Sequence, residues 1–312
     1  MTRFATVDVG TNTVLLLVAE KQAVGDRVLF QPLLERAEIT RLGRGVDRTG
    51  HLDPAAIRDT VDALARFVGA ARALGALDIA CVATSAARDA TNGSEFFAAA
   101  ESAAGLRPEV ISGDEEARLV WESAFRDFGG SGGLTVLDVG GGSTEVCVGH
   151  GPTPAARRSL QVGAVRLTER VAPPDPPGPE YLEALRRAAA VELGRVVDIL
   201  PNDRRGEGRL VGVAGTVTTL AAVEKALPLY DAGVVHGAEL KLSELEQLFL
   251  RLGALTVAER QRLPGMEPKR ADVIVGGCAI VVEAMRLFGF DRLTVSDRGV
   301  RWGLLHDRFG NG

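Results

Sequence analysis

"LDVGGGSTEVCVG", residues 137–149, sets three consecutive glycines between two apolar runs, with an acid before them and another after the hydroxyls. The segment that follows, "EVCVG", is β-branched and reads as a strand, so the glycines sit in a hairpin loop. A P-loop would need Gly-Lys-Ser/Thr opening a helix, and no lysine follows here; a dinucleotide fingerprint also needs a helix after its glycines. The same pattern occurs earlier. "TVDVGTNTVLLLV" (6–18) also runs strand, Asp-Val-Gly, hydroxyl-rich turn, strand, and the offset of 130 residues is domain-sized. The repeat predicts two related α/β halves facing one another, with their turns converging on a cleft.

The surrounding sequence fits such halves. The first predicts a strand over 28–41, a helix over 54–74, a buried strand over 78–85, a helix over 86–104, a short strand near 107–111 and a helix over 113–127. "FGGSGG" (128–133) is the best boundary, giving domains 1–127 and 128–298. In the second half, "APPDPPGP" (172–179) reads as an exposed loop, 179–200 as a helix, and 209–223 as strand, turn and helix. Residues 243–252, 256–262 and 268–288 read as helical, and "RLTVSDRGVRWGLL" as a last strand, a turn and a closing helix. That final helix, about 299–312, is expected to pack back onto the first domain. Strands mixed with crossover helices make the class α/β.

Composition narrows the function. The chain has 312 residues, 46% apolar and 25% charged, with 36 basic against 41 acidic side chains and a net charge of −5. That argues against general nucleic-acid or anionic-membrane binding and leaves room for one local basic site. Cys81, Cys147 and Cys278 are far apart in apolar runs and read as buried thiols, which suits a reducing cytoplasm. Asp8 comes too early for a signal-peptide core, and no apolar run approaches a membrane span. The four histidines have no metal-ligand spacing.

Glycines let backbone N–H groups approach a phosphate closely. Gly140, Gly141 and Gly142 are candidates for that role, with Ser143 and Thr144 adding hydroxyls; Gly10, Thr11, Asn12 and Thr13 form the corresponding first turn. A bulged hairpin would account for one such turn; two, each with an aspartate and hydroxyls, favour an anion. Asp138 and Glu145 flank the loop on two arms of one hairpin, and two carboxylates beside a phosphate suit Mg²⁺. Asp8 ends the first strand in the same way. In "ISGDEEARLVW" (111–121), Ser112 and Glu115 fit a capping box, which leaves Glu116, about 100° around the helix, as the freer acid to activate a water. Arg88 is a candidate phosphate clamp, sharing a helix face with Asn92. Gly215 and Thr216, in "GVAGTVTTL", form another anion-suited turn opening a helix. Arg41, Arg44, Arg88, Arg166, Lys269, Arg270 and Arg298 could build a basic track.

Taken in order, "DVGTNT", "ATSAARDATN", "ISGDEEARL", "DVGGGSTE", "VGAVRLTE", "VAGTVTTLAA", "VHG", "RADVIVGG" and "SDRGVRWGLL" resemble the exopolyphosphatase/guanosine pentaphosphate phosphohydrolase family, of the actin, sugar-kinase and heat-shock-ATPase superfamily. The resemblance implies two ribonuclease-H-like (actin-like ATPase) domains with an interdomain cleft, and Mg²⁺-dependent hydrolysis, with Mn²⁺ as a substitute, of a terminal phosphate. The substrate would be inorganic polyphosphate or guanosine pentaphosphate. The family's catalytic glutamate falls on Glu116, its metal-associated acids on Asp138 and Glu145, and its glycine loop on Gly140 to Ser143. Threonines stand at 11 and 13, where the family more often has serines, and keep the hydroxyls. Longer members append a helical C-terminal region that grips long polyphosphate; this chain ends at Gly312. A cytoplasmic homodimer is the family-based expectation.

Overall fold

The computed structural model describes residues 2–25, 27–130, 132–200 and 206–310. They form two compact units, one running to Leu119 and resuming at Val300, the other spanning Val120–Gly299. The division falls inside a helix, earlier than the glycine-rich stretch 128–133, whose Ser131 lies outside the described residues. Residues 311 and 312 of the expected closing helix also lie outside them.

The first unit is built on β1 (Thr2–Val9), β2 (Thr13–Val24), β3 (Arg27–Ile39), α1 (Val46–Thr49), α2 (Pro54–Ala73), β4 (Ala76–Ala83), α3 (Ser85–Asp89), α4 (Gly93–Ala104), β5 (Glu109–Val110) and the start of α5 (Gly113–Phe128). Its sheet runs β3-β2-β1-β4-β5, with β1, β2 and β3 antiparallel and β4 and β5 parallel to β1. Alternation along β1 sorts the faces. Ala5, Val7 and Val9 pack with residues of α2 and α4, such as Leu64, Phe67 and Phe96. Each such large apolar side chain contributes about 1.5–3 kcal/mol when fully buried. Asp53 caps α2, accepting from Ala55 N–H at 2.8 Å and Ala56 N–H at 3.2 Å, and Pro54 follows at the first helical position, where its missing N–H costs nothing.

The second unit contains β6 (Leu134–Val139), β7 (Thr144–Gly149), β8 (Ala156–Leu160), α6 (Ala164–Val171), α7 (Gly178–Leu193), β9 (Arg209–Val213), α8 (Ala214–Glu224), α9 (Ala232–Val235), β10 (Glu239–Lys241), α10 (Leu242–Gly253), α11 (Val257–Arg260), α12 (Ile274–Phe288) and β11 (Arg292–Val295). Its sheet runs β8-β7-β6-β9-β11-β10. The first five strands repeat the order and directions of the first sheet, and β10 adds an antiparallel edge. Leu137, Val139, Val146 and Val148 face a core shared with α7, α8, α10 and α12. Glycines let α12 come close to its neighbours: a Cβ on Gly276 would overlap Thr168 Oγ1 of α6, and one on Gly277 would lie 2.5 Å from Thr216 Cγ2 of α8.

The closing helix, α13 (Val300–Phe309), belongs to the first unit. Trp302, Leu305 and Phe309 cover Leu17 and Ala19 on the sheet face opposite α2, and Thr6 Oγ1 donates to the Arg301 carbonyl at 2.8 Å.

Three expected helices are cut differently. Residues 86–104 form α3 and α4, separated at 90–92. Asn92 spends its amide on Leu52, accepting from its N–H at 2.8 Å and donating to its carbonyl at 3.1 Å, which competes with helix continuation. The helix expected over 179–200 ends at Leu193 and continues as a 3-10 turn over Gly194–Ile199. Over 268–288, a 3-10 turn at Pro268–Arg270 precedes α12. The strand expected as buried over 78–85 is β4, buried only along its second half. Five short elements, α1, β8, α6, α9 and β10, lie outside the sequence expectation.

Candidate active site

In the first unit, the turn after β1 closes with Gly10 N–H donating to Thr13 O at 3.0 Å. The segment after β3 then takes the turn's carbonyls: Gly43 N–H donates to Thr11 O at 2.8 Å, and Thr40 and Arg41 N–H to Asn12 O at 3.2 and 3.1 Å. A Cβ on Gly43 would overlap the Thr11 methyl, so any other residue here makes the Thr11 side chain turn aside. Thr11 Oγ1 is buried and has no hydrogen-bond partner. Asp8, on the α13 face of β1, is 8% exposed, and its Oδ1 has no partner either. Burial pushes its carboxyl up to about 7, against the pull of the Arg301 guanidinium.

Glu116 lies in the first turn of α5. Ser112 Oγ accepts from Glu115 N–H at 3.1 Å, as the capping sequence predicts. The Glu115 carboxylate takes Arg118 in two bonds, at 2.9 and 2.7 Å, and Arg118 also donates to Asp307 of α13 at 2.7 Å. Glu116 points elsewhere and is buried, with Arg88 Nη1 at 3.5 Å from Oε2. Arg88 Nη1 also donates to Ile111 O at 3.0 Å, which fixes the guanidinium between α3 and the chain entering α5. Its Nη2 is buried with no hydrogen-bond partner, leaving a charged donor for an anion. Arg88 and Asn92 do not share a helix face, since α3 ends at Asp89.

In the second unit, the turn after β6 closes in the same manner, Gly140 N–H to Ser143 O at 3.1 Å. All three glycine carbonyls face α6. Ala164 N–H donates to Gly140 O at 2.9 Å, Val165 and Arg166 N–H to Gly141 O at 2.9 and 3.1 Å, and Arg166 Nε to Gly142 O at 2.7 Å. A Cβ on Gly163 would lie 2.5 Å from Gly141 C and O, so the approach requires glycine. C=O and N–H point in opposite directions across a trans peptide. Drawing the oxygens toward α6 therefore turns Gly141, Gly142 and Ser143 N–H the other way, and among the described residues no hydrogen bond uses them. Successive N–H groups presented like this form an anion-binding concavity. Thr144 takes another part: it is fully buried, and its hydroxyl donates to Val162 O at 2.6 Å.

Asp138 and Glu145 are directly paired across β6 and β7, so their buried side chains share one sheet face. Ser159 Oγ of β8 donates to Glu145 Oε1 at 2.7 Å. Among the described residues, no group of three or more His, Cys, Asp or Glu could hold a metal. Two adjacent carboxylates nevertheless fit Mg²⁺, which uses one or two carboxylates and fills its other positions with water and substrate phosphate. Asp8 fits less well: Leu15 stands opposite it, and Arg301 supplies its counter-charge.

At Gly215 and Thr216, β9 passes directly into α8 through Ala214, which has φ 71. Arg270 covers this point so closely that a Cβ on Gly215 would overlap its guanidinium; Arg270 Nη1 lies 3.3 Å from Thr219 Oγ1. Of the other basic candidates, Arg298 donates to Asp127 at 2.7 Å, Arg44 and Lys269 are exposed, and Arg41 holds φ 57 on the segment that grips the first turn. Sequence reasoning missed Arg301 beside Asp8 and Ser159 on Glu145. The latter follows from the pairing of β8 with β7, and β8 itself lies outside the sequence expectation.

The model of the Ppx/GppA phosphatase family matches residues 17–311. Among curated proteins, "Exopolyphosphatase 2" of Mycobacterium tuberculosis is 37% identical over 314 residues, covering 97% of this chain and 98% of that one. "Exopolyphosphatase 1" of Mycobacterium leprae is 31% identical, covering 97% and 88%. The crystal structure of the Aquifex aeolicus member of the same family aligns with a TM-score of 0.80 at 32% identity, covering 98% of this chain and 97% of that one.

Proposed function

The chain belongs to the Ppx/GppA phosphatase family, and we propose that within it this protein is an exopolyphosphatase, hydrolysing the terminal phosphoanhydride of inorganic polyphosphate. It is a hydrolase of phosphoric anhydrides, shortening its substrate by one orthophosphate per turnover. The observation that carries the proposal is the loop 140–143: three adjacent N–H groups turned away from α6, beside the carboxylates of Asp138 and Glu145.

The loop N–H groups bind the terminal phosphate and oppose the charge that builds on its oxygens. In the first unit, Thr11 Oγ1 and Arg88 Nη2 are buried without partners and are donors suited to an anion. Glu116 is the proposed acceptor of a proton from the attacking water, with the Arg88 guanidinium beside its carboxylate. Asp138 and Glu145 would hold Mg²⁺, which supplies Lewis-acid neutralisation of phosphate charge when bound. Arg270, beside Gly215, provides positive charge for the chain behind the terminal unit.

Orthophosphate release should be measured from long and short polyphosphate, guanosine pentaphosphate and ATP, with and without Mg²⁺. Polyphosphate should be the best substrate, and E116Q should lower kcat by about 10²–10⁴-fold. Preference for guanosine pentaphosphate would replace the substrate assignment, and undiminished release by E116Q would remove Glu116 as the base.

No helix among the described residues is long and apolar enough to cross a membrane. A cytoplasmic location, suggested by the free buried thiols, and a homodimer, resting on the family alone, remain part of the proposal.

A further inference from the structure

Two of the three loop carbonyls are held only by backbone N–H groups of α6, which any residue but proline would supply. The third, Gly142 O, is held by a side chain, Arg166 Nε at 2.7 Å. Whatever holds the Gly142 oxygen also aims the N–H of Ser143, because both belong to one planar peptide. We propose that Arg166 is a positioning residue for the terminal phosphate: it fixes the Gly142–Ser143 peptide so that Ser143 N–H completes the row begun by Gly141 and Gly142. The proposal rests on reading loop 140–143 as the phosphate site.

Arg166 suits this task. Its own N–H donates to Gly141 O at 3.1 Å, so one residue grips two consecutive loop carbonyls, by backbone and by side chain. Nε–H lies in the plane of a rigid guanidinium, so the bond has a defined direction; a lysine ammonium is a rotating point charge. A cationic donor on the carbonyl also polarises the peptide, making Ser143 N–H a better donor. In the first turn the Thr11 and Asn12 carbonyls are held by the backbone N–H groups of Thr40, Arg41 and Gly43.

The test measures tripolyphosphate affinity by calorimetry in the E116Q background, which prevents turnover, and KM and kcat for polyphosphate in the otherwise native chain. The variants are R166Q, R166K and R170Q. Arg170 is one turn further along α6 and donates to Gln161 O at 3.2 Å, so it controls for loss of an arginine from that helix. R166Q should weaken tripolyphosphate binding and raise KM together by about tenfold or more, with kcat little changed. R166K should recover part of the loss and carries the same test if R166Q does not fold. R170Q should match wild type, and melting temperatures without phosphate should agree. Unchanged affinity in the Arg166 variants, with binding intact in the E116Q parent, overturns the role of Arg166 and leaves the loop assignment standing. An E116Q parent that binds no tripolyphosphate overturns both. A fall in kcat at unchanged affinity, or an equal loss in R170Q, assigns Arg166 to structure and overturns the proposal.

Discussion

The turns Gly10–Thr13 and Gly140–Ser143 close with the same hydrogen bond, at 3.0 and 3.1 Å, and each has its carbonyls drawn back by the segment after the third strand of its sheet. Each follows a buried aspartate on the face away from the main helical core. They differ in what stands opposite that aspartate: Leu15 faces Asp8, and Glu145 faces Asp138. One acid alone in an apolar setting holds its proton up to about 7 and leans on an arginine. Two adjacent acids are instead the pair proposed to hold Mg²⁺. A shared scaffold thus gives two electrostatic outcomes through one cross-strand position.

Exchanging that position should give the largest effect. Glu145→Gln should lower kcat by about a thousandfold at saturating Mg²⁺, because several kcal/mol of charge neutralisation depends on the pair. Leu15→Gln, at the matching place, should cost less than about tenfold in the same phosphate-release assay. Equal losses would mean that the halves are not electrostatically different.

The glycines that let each turn be gripped should rank next. Gly163→Ala sets a Cβ 2.5 Å from backbone atoms of Gly141, which can move only by shifting the loop. It should lose about 1–3 kcal/mol of stability in urea unfolding and raise KM for polyphosphate. Gly43→Ala meets the Thr11 side chain, which can turn aside, and should lose less.

A further effect concerns pH. In the unfolded chain the Asp8 carboxyl titrates near its ordinary value of about 4, while in the fold it keeps its proton up to about 7. Between those values the folded state binds more protons, so stability falls as pH rises. The Asp8 contribution is full below about pH 4 and lost as the pH passes about 7. Asp8→Asn, without metal, should flatten that part of the melting-temperature profile and melt higher than wild type near pH 8. A profile that keeps the wild-type slope would show that Asp8 is not the group responsible.

The hairpins were legible because their signals are local. Glycine, aspartate and β-branched residues lie within a few positions of each other, and backbone sterics act over that range. Glu116 was separable from Glu115 by helix geometry, and the Ser112 cap agrees. The α3–α4 break was not legible, because Leu52, which holds Asn92, lies 40 positions earlier. Nor was the pairing of Arg88 with Glu116, or of Arg270 with Gly215: each joins groups distant in sequence through sheet and helix packing.

Sequence alone determined the two-fold α/β pattern, the glycine loops, the facing acids Asp138 and Glu145, and the different directions of Glu115 and Glu116, since each follows from short-range geometry and residue chemistry. Tertiary structure alone decided which way the loop peptides point. A glycine peptide can turn either face outward at little cost. Only α6 and Arg166, drawing the carbonyls of Gly140 to Gly142 to one side, commit the N–H groups to the other.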